Sequence, residues 1–114
     1  MKFEKLKKLD LVGNKITNIK VLKKANLPDI KELNLSWCTI SDIGFLEKIK
    51  FEKLEKLDLC GNEISNIEIL EKVNLKELKE LNLSYCNISF IRLLEKIKFR
   101  KLKKLDLFAN KYQM

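Results

Sequence analysis

Histidine is missing from this chain altogether, and with it the side chain that most often serves as a general base or metal ligand near neutral pH. Glycine occurs three times, proline once and cysteine three times. The glycines do not gather into a phosphate-cradling loop, and no nucleophile elbow is present. No two cysteines form a C-x-x-C pair, so without histidine a zinc site is not expected, nor any other metal or cofactor. No apolar run approaches the ~20 residues that span a bilayer. The segment Met1-Lys2-Phe3-Glu4-Lys5 lacks the apolar core of a secretory signal. These absences argue against an enzyme and point to a soluble, intracellular protein of the cytoplasm, its thiols reduced.

Net charge is +8, but its distribution matters more than its sum. Residues 1–29 carry 8 basic and 3 acidic groups, residues 54–77 carry 3 and 6, and residues 78–101 carry 6 and 2. Positive charge therefore gathers toward the two ends of the chain, whereas a nucleic-acid footprint would be a continuous basic stripe with aromatics interleaved. Neither nucleic acid nor membrane is the expected partner.

What is present is a repeat. The stretch from Leu54 to Ile64, LEKLDLCGNEI, has leucine at its positions 1, 4 and 6, asparagine at 9 and isoleucine at 11. Polar or small residues stand between the leucines. Such alternation describes a short half-buried strand with Leu57 and Leu59 inward and Lys56, Asp58 and Cys60 outward. A shift of 24 residues finds the pattern again, with Leu6, Ile30, Leu54, Leu78 and Leu102 all at position 1. A fixed period of this length marks stacked supersecondary units that bury a core only against their neighbours. A second period lies above the first: residues 6–53 and 54–101 are identical at 31 of 48 positions. Odd repeats read L-D-L-x-G-N and even repeats L-N-L-S-aromatic-C, with Ala109 in place of glycine in the last copy.

The run L-x-x-L-x-L-x-x-N/C-x-I resembles the leucine-rich repeat, and its I-x-x-L continuation (Ile43 and Leu46, Ile67 and Leu70) is similar to the short repeats of internalins and phosphatase regulators. The cysteines at position 9 are similar instead to cysteine-containing repeats. The resemblance implies an α/β solenoid, a right-handed superhelix with a concave parallel sheet of about five short strands and short convex helices. It implies binding as the function. Residues 1–114 are read as one domain, with repeats 6–29, 30–53, 54–77, 78–101 and a partial 102–114, and without recognisable caps. Phe3 and Tyr112 fall in the incomplete end turns.

The convex segments carry Phe45, Leu46 and Ile49, or Phe90, Leu93, Leu94 and Ile97, on one helical side. About two helical turns per repeat are expected, started by Asn18, Asp42 or Asn66, with Ser65 and Glu68 as a capping box. Stacking at about 4.8 Å turns every position into a column. Lys8, Glu32, Lys56, Glu80 and Lys104 alternate in sign, as do Lys5, Asp29, Lys53, Glu77 and Lys101, and such alternation fixes register. Asp10, Asn34, Asp58, Asn82 and Asp106 space their carboxylates about 10 Å apart, too far for a shared metal or a glycosidase pair. At position 9 (Asn14, Cys38, Asn62, Cys86, Asn110) the resemblance implies side chains that bond the loop backbone. Cys38 and Cys86, about 10 Å apart, are too distant for a disulfide.

Position 8 holds Gly13, Trp37, Gly61, Tyr85 and Ala109. Two open readings follow: each ring folds over its small neighbour, or Trp37 and Tyr85 stand about 10 Å apart as anchors flanking a notch at Gly61. Val12 and Phe108 would extend that apolar area. The leading expectation is a non-catalytic protein–protein interaction module with a rigid concave face. A protein partner would contact Trp37, Tyr85, Lys56, Asp58, Cys60, Glu80, Asn82, Asn34 and Phe108. The alternatives are a structural spacer within a longer array, or weak electrostatic binding of RNA or acidic membrane through the basic ends. Uncapped ends also suggest weak self-association, opposed by their like charge.

Overall fold

A computed structural model of the chain describes residues 6–16, 22, 27–89 and 91–110, without the side chains of 91 and 93. The roles assigned to Phe3, Lys5, Asn18, Phe90, Tyr112 and the Leu93 side chain fall outside the described residues. Five strands of three residues each form one sheet: β1 (Lys8–Asp10), β2 (Glu32–Asn34), β3 (Lys56–Asp58), β4 (Glu80–Asn82) and β5 (Lys104–Asp106). All neighbours are parallel and stand in sequence order. Each pairs with residues 24 positions on, Lys8 with Glu32, Leu33 with Leu57 and Asp58 with Asn82. The expected register is the observed one.

Strands this short persist because the second, third and fourth repeats are each covered by a neighbour on both sides. Leu33, Leu57 and Leu81 form one interior row, and Leu35, Leu59 and Leu83 a second, each at most 2% exposed. Ile40, Ile64 and Ile88 continue inward after the strand, and Leu27, Phe51, Leu75 and Phe99 close the row on the return path. Each fully buried leucine contributes about 1.5–3 kcal/mol relative to exposure. The return path turns at the same place in every repeat. The carbonyls of Leu27, Phe51, Leu75 and Phe99 accept from the N–H groups three residues on, at Ile30, Leu54, Leu78 and Leu102. Pro28 is the second residue of the first such turn, where its fixed φ suits the geometry and its missing N–H breaks no ladder.

The convex segments are tighter than the sequence suggests. A single α turn, α1 (Phe45–Lys48), serves the second repeat, and 3₁₀ segments serve the third (Glu68–Glu71) and fourth (Ile91–Lys96). One helical turn, not two, is what the 24-residue circuit leaves in the second and third repeats. A 3₁₀ segment rises further per residue than an α-helix and so covers the same span with fewer residues. The expected starters act before the cap position, Asp42 two residues ahead of Gly44 and Asn66 one ahead of Ile67. Asp42 accepts from the Gly44 N–H at 2.8 Å and Asn66 from the Glu68 N–H at 2.9 Å. No side-chain bond caps either segment at its boundary residue, Gly44 or Ile67, so the capping box at Ser65 does not form. Phe45, Leu46, Ile67 and Leu70 are buried.

Candidate functional site

On the open side of the sheet, outward residues line a shallow groove of about 340 Å³ running across all five strands. Its central column is an ion-pair chain. Lys8 Nζ stands 3.0 Å from Glu32, and Lys56 Nζ reaches both Glu32 (3.6 Å) and Glu80 (3.1 Å). The Lys8 ammonium beside Glu32 holds that carboxyl below the usual carboxylate range, and Glu80 with Glu32 raises the Lys56 ammonium above its own. A neighbouring column adds Lys53 on Asp29 at 2.7 Å and Lys101 on Glu77 at 2.9 Å. Asp29 and Glu77 are each held low by that lysine. A third column, not singled out in the sequence, joins Glu55 to Lys31 (3.9 Å) and Lys79 (3.3 Å). Its signal was the same 24-residue spacing.

The next column works locally. Asp10, Asn34, Asp58, Asn82 and Asp106 each accept, through Oδ1, the N–H two residues on, at 2.9–3.1 Å. These are Asx turns, in which a short side chain substitutes for a backbone acceptor and bends the chain off the strand. In the even repeats the Ser36 and Ser84 hydroxyls donate to the same oxygens at 2.7 and 2.6 Å, and both serines are buried despite their outward parity. Asn34, Asp58 and Asn82 therefore have one oxygen committed to the turn while still lining the groove. Cys60 is half-buried, its sulfur 3.3 Å from the Ser84 hydroxyl oxygen.

Beneath the turns runs the position-9 row. Asn62 is buried and makes four bonds near 3 Å: its Nδ2 donates to the Leu35 and Leu59 carbonyls, and its Oδ1 accepts from Cys38 and Ile40 N–H. Asn110 repeats most of this between the fourth and fifth repeats. Cys38 and Cys86 fill the alternate places, their thiols donating to the Leu11 and Leu59 carbonyls at 3.1 and 3.3 Å. Burial pushes both thiols up from their ordinary pKa. All three cysteines are free.

Position 8 departs from the notch. Gly13, Trp37, Gly61, Tyr85 and Ala109 all take left-handed backbone, with φ between 53° and 74°. Glycine adopts this freely, whereas a residue with a Cβ is strained there by about 1–2 kcal/mol. From that backbone Trp37 lies across Gly61, where a Cβ on Gly61 would overlap the indole. The indole thereby closes to 6.1 Å from the Tyr85 ring, not 10 Å, and Tyr85 meets Phe108 edge-on at 5.6 Å. Of the two open readings, the ring folded over its small neighbour holds for Trp37, and the gap is filled because glycine leaves a floor on which the larger ring rests. The result is a continuous aromatic strip along the rim where the strands end. Trp37, Tyr85 and Phe108 are 55%, 50% and 65% exposed. Val12, also exposed, stands in the same column as Phe108 at the far end of the sheet.

Leucine-rich repeats in two copies match residues 4–48 and 52–90. No curated protein sequence matches the chain. Among solved structures, an internalin (inlF) of Listeria monocytogenes is 29% identical with a TM-score of 0.77, over 96% of this chain and 30% of its own. Internalin C2 (inlC2) of the same organism is 29% identical with a TM-score of 0.79, over 97% of this chain and 46% of its own. The chain thus spans less than half the length of either.

Proposed function

Because the chain belongs to the leucine-rich repeat family, whose members generally mediate protein–protein interaction and are typically not enzymes, we propose that it is a non-catalytic binding module holding a protein partner on its concave side. The partner's apolar side chains seat on the strip Trp37–Tyr85–Phe108, and its polar groups meet Lys56, Glu80, Asp58, Asn82 and Asn34 in the groove. Cys60 contributes contact area at the border between the two. The three free thiols suit a reducing, intracellular setting.

One observation carries this reading: Trp37 and Tyr85 occupy left-handed backbone that glycine would hold without strain, and each is still about half exposed. Strained residues of this kind gather at binding sites, and Trp and Tyr dominate interface hot spots. Rigid strands add to the effect, since a preorganised face loses little entropy on binding.

Replacing both residues by alanine should weaken partner binding by more than ~2 kcal/mol, measured by calorimetry with a partner captured from the native cell. In the free protein, Trp37→Gly should be about 1 kcal/mol more stable than Trp37→Ala, because only glycine relieves the positive φ. Undiminished affinity in the double alanine variant would remove the strip from the binding site.

A further inference from the structure

The concave groove is opposite in sign to the chain as a whole. Three lysines and five carboxylates line it, net −2, in a chain of net +8. The lysine–glutamate column is close to neutral by itself, since Lys8 and Lys56 are paired with Glu32 and Glu80. The surplus lies in the next column, where Asp10, Asp58 and Asp106 alternate with Asn34 and Asn82. None of these aspartates forms an ion pair among the described residues. Each commits Oδ1 to its turn and leaves Oδ2 to the groove. Asn34 and Asn82 commit Oδ1 twice, to an N–H and a serine hydroxyl, and leave Nδ2. One carboxylate is added every second repeat, so the surplus belongs to the repeat pattern and not to where the stack begins or ends.

Beside this column, at the rim where the strands end, lies the strip of Trp37, Tyr85 and Phe108, its rings 6.1 and 5.6 Å apart. Column and strip both run across the strands. A ligand lying along the groove therefore meets carboxylates on one flank and rings on the other. Strand spacing sets successive carboxylates about 9.6 Å apart. A polyproline II helix returns the same face every three residues, an advance of about 9.3 Å. A β-strand turns its third residue to the opposite face, and an α-helix regains its face only after seven residues, about 10.5 Å. Polyproline segments also dock on aromatic rings. Their backbone is rich in carbonyls and poor in N–H groups, which suits the Nδ2 donors of Asn34 and Asn82.

Building on the concave face as the protein-binding surface proposed above, we infer that its occupant is a polyproline II segment with arginine or lysine at every third position. The cations meet Asp10, Asp58 and Asp106, prolines on the adjoining face seat on Trp37, Tyr85 and Phe108, and carbonyls accept from Asn34 and Asn82. The chain contains a single proline, so the occupant belongs to a different protein and not to a second copy.

Titrating the full chain with the peptide (Arg-Pro-Pro)₄ at low salt tests this, read by the emission of Trp37, the only tryptophan. The peptide should bind and shift that emission. (Arg-Pro-Pro-Pro)₄ carries the same charge, but its successive arginines point to different faces. It should bind about tenfold more weakly, the loss of two exposed ion pairs. Asp10→Asn combined with Asp58→Asn and Asp106→Asn should weaken (Arg-Pro-Pro)₄ by a similar factor and erase the difference between the two peptides. The turns survive these substitutions, because Asn34 and Asn82 already make the same bond. No binding of (Arg-Pro-Pro)₄, equal affinity for the two spacings, an asparagine variant that binds like wild type, or tighter binding of a helical peptide with arginine at every seventh position would overturn the inference. The broader reading has a separate readout in the captured partner. If Trp37→Ala with Tyr85→Ala weakens that partner while the asparagine variant does not, the concave binding face stands and the basic polyproline occupant falls.

Discussion

Odd and even repeats share the same strand and the same left-handed turn after it with different chemistry, and the contrast separates what the fold requires from what it merely tolerates. At the buried position-9 row, odd repeats use asparagine, and Asn62 satisfies four backbone groups in two repeats. Even repeats use cysteine, which fills the volume and donates a weak bond to the preceding repeat. At the left-handed position, the first four repeats put glycine in the odd copies and an aromatic in the even ones. The two choices depend on each other, because Trp37 can lie flat only over a residue without a side chain. Odd repeats carry the asparagine hydrogen-bond frame, and even repeats carry the Trp37 and Tyr85 rings on left-handed backbone.

The largest break in this comparison is expected at the asparagine. Asn62→Ala leaves several buried backbone groups unpaired and should cost about 3–5 kcal/mol in urea unfolding. Cys86→Ala, its even counterpart, loses a weak donor and little volume, and should cost about 1 kcal/mol. Equal losses at the two sites would mean that the row is held by packing alone.

Glycine offers the next test. Gly61→Ala meets both the positive φ and the Trp37 indole, and should destabilise by about 2–4 kcal/mol. Gly13→Ala meets only the φ, with nothing within 4 Å, and should lose about 1 kcal/mol; Ala109 already accepts that backbone. Pairing Gly61→Ala with Trp37→Gly should recover the difference in a double-mutant cycle.

The smallest effects are pH-dependent and come from opposite sides of the contrast. Asp29 and Glu77 close the odd repeats, and each is held by a lysine closing an even one. Their folded pKa values are lowered from 3.8 and 4.5. That stability is therefore present above those values and is lost as pH falls through the lower folded ones. The melting temperature should drop below about pH 4, less so in Lys53→Met. The even-repeat thiols behave in the opposite sense. Cys38 and Cys86 are raised from 9.0 by burial, so their contribution is complete below that value and is lost as pH rises through the folded one. Cys38→Ala with Cys86→Ala should flatten the alkaline arm alone.

Leu57, Leu59 and their equivalents were legible from spacing alone, because a two-residue alternation inside a fixed period leaves one face to bury. Lys56 between Glu32 and Glu80 was equally legible, since register follows from the period. The convex helices were less so: Phe45, Leu46 and Ile49 show which side is apolar but not how few residues the circuit leaves for turning. The Asx turns at Asp58 and Asn82 were hidden, because an outward carboxylate reads the same whether it meets solvent or the backbone two residues on. Gly13 and Gly61 in one column hinted at positive φ, but the aromatics beside them obscured the hint.

The order of residues by itself determined the solenoid, its sheet register, its interior rows and its charge columns, because each follows from the 24-residue period and the sign or polarity of what recurs. Only the tertiary structure decided where the rings went. Two residues that the period places two repeats apart became neighbours because a left-handed backbone aimed the Trp37 indole across Gly61. That direction depends on dihedral angles and on empty space above a glycine, neither of which periodicity encodes.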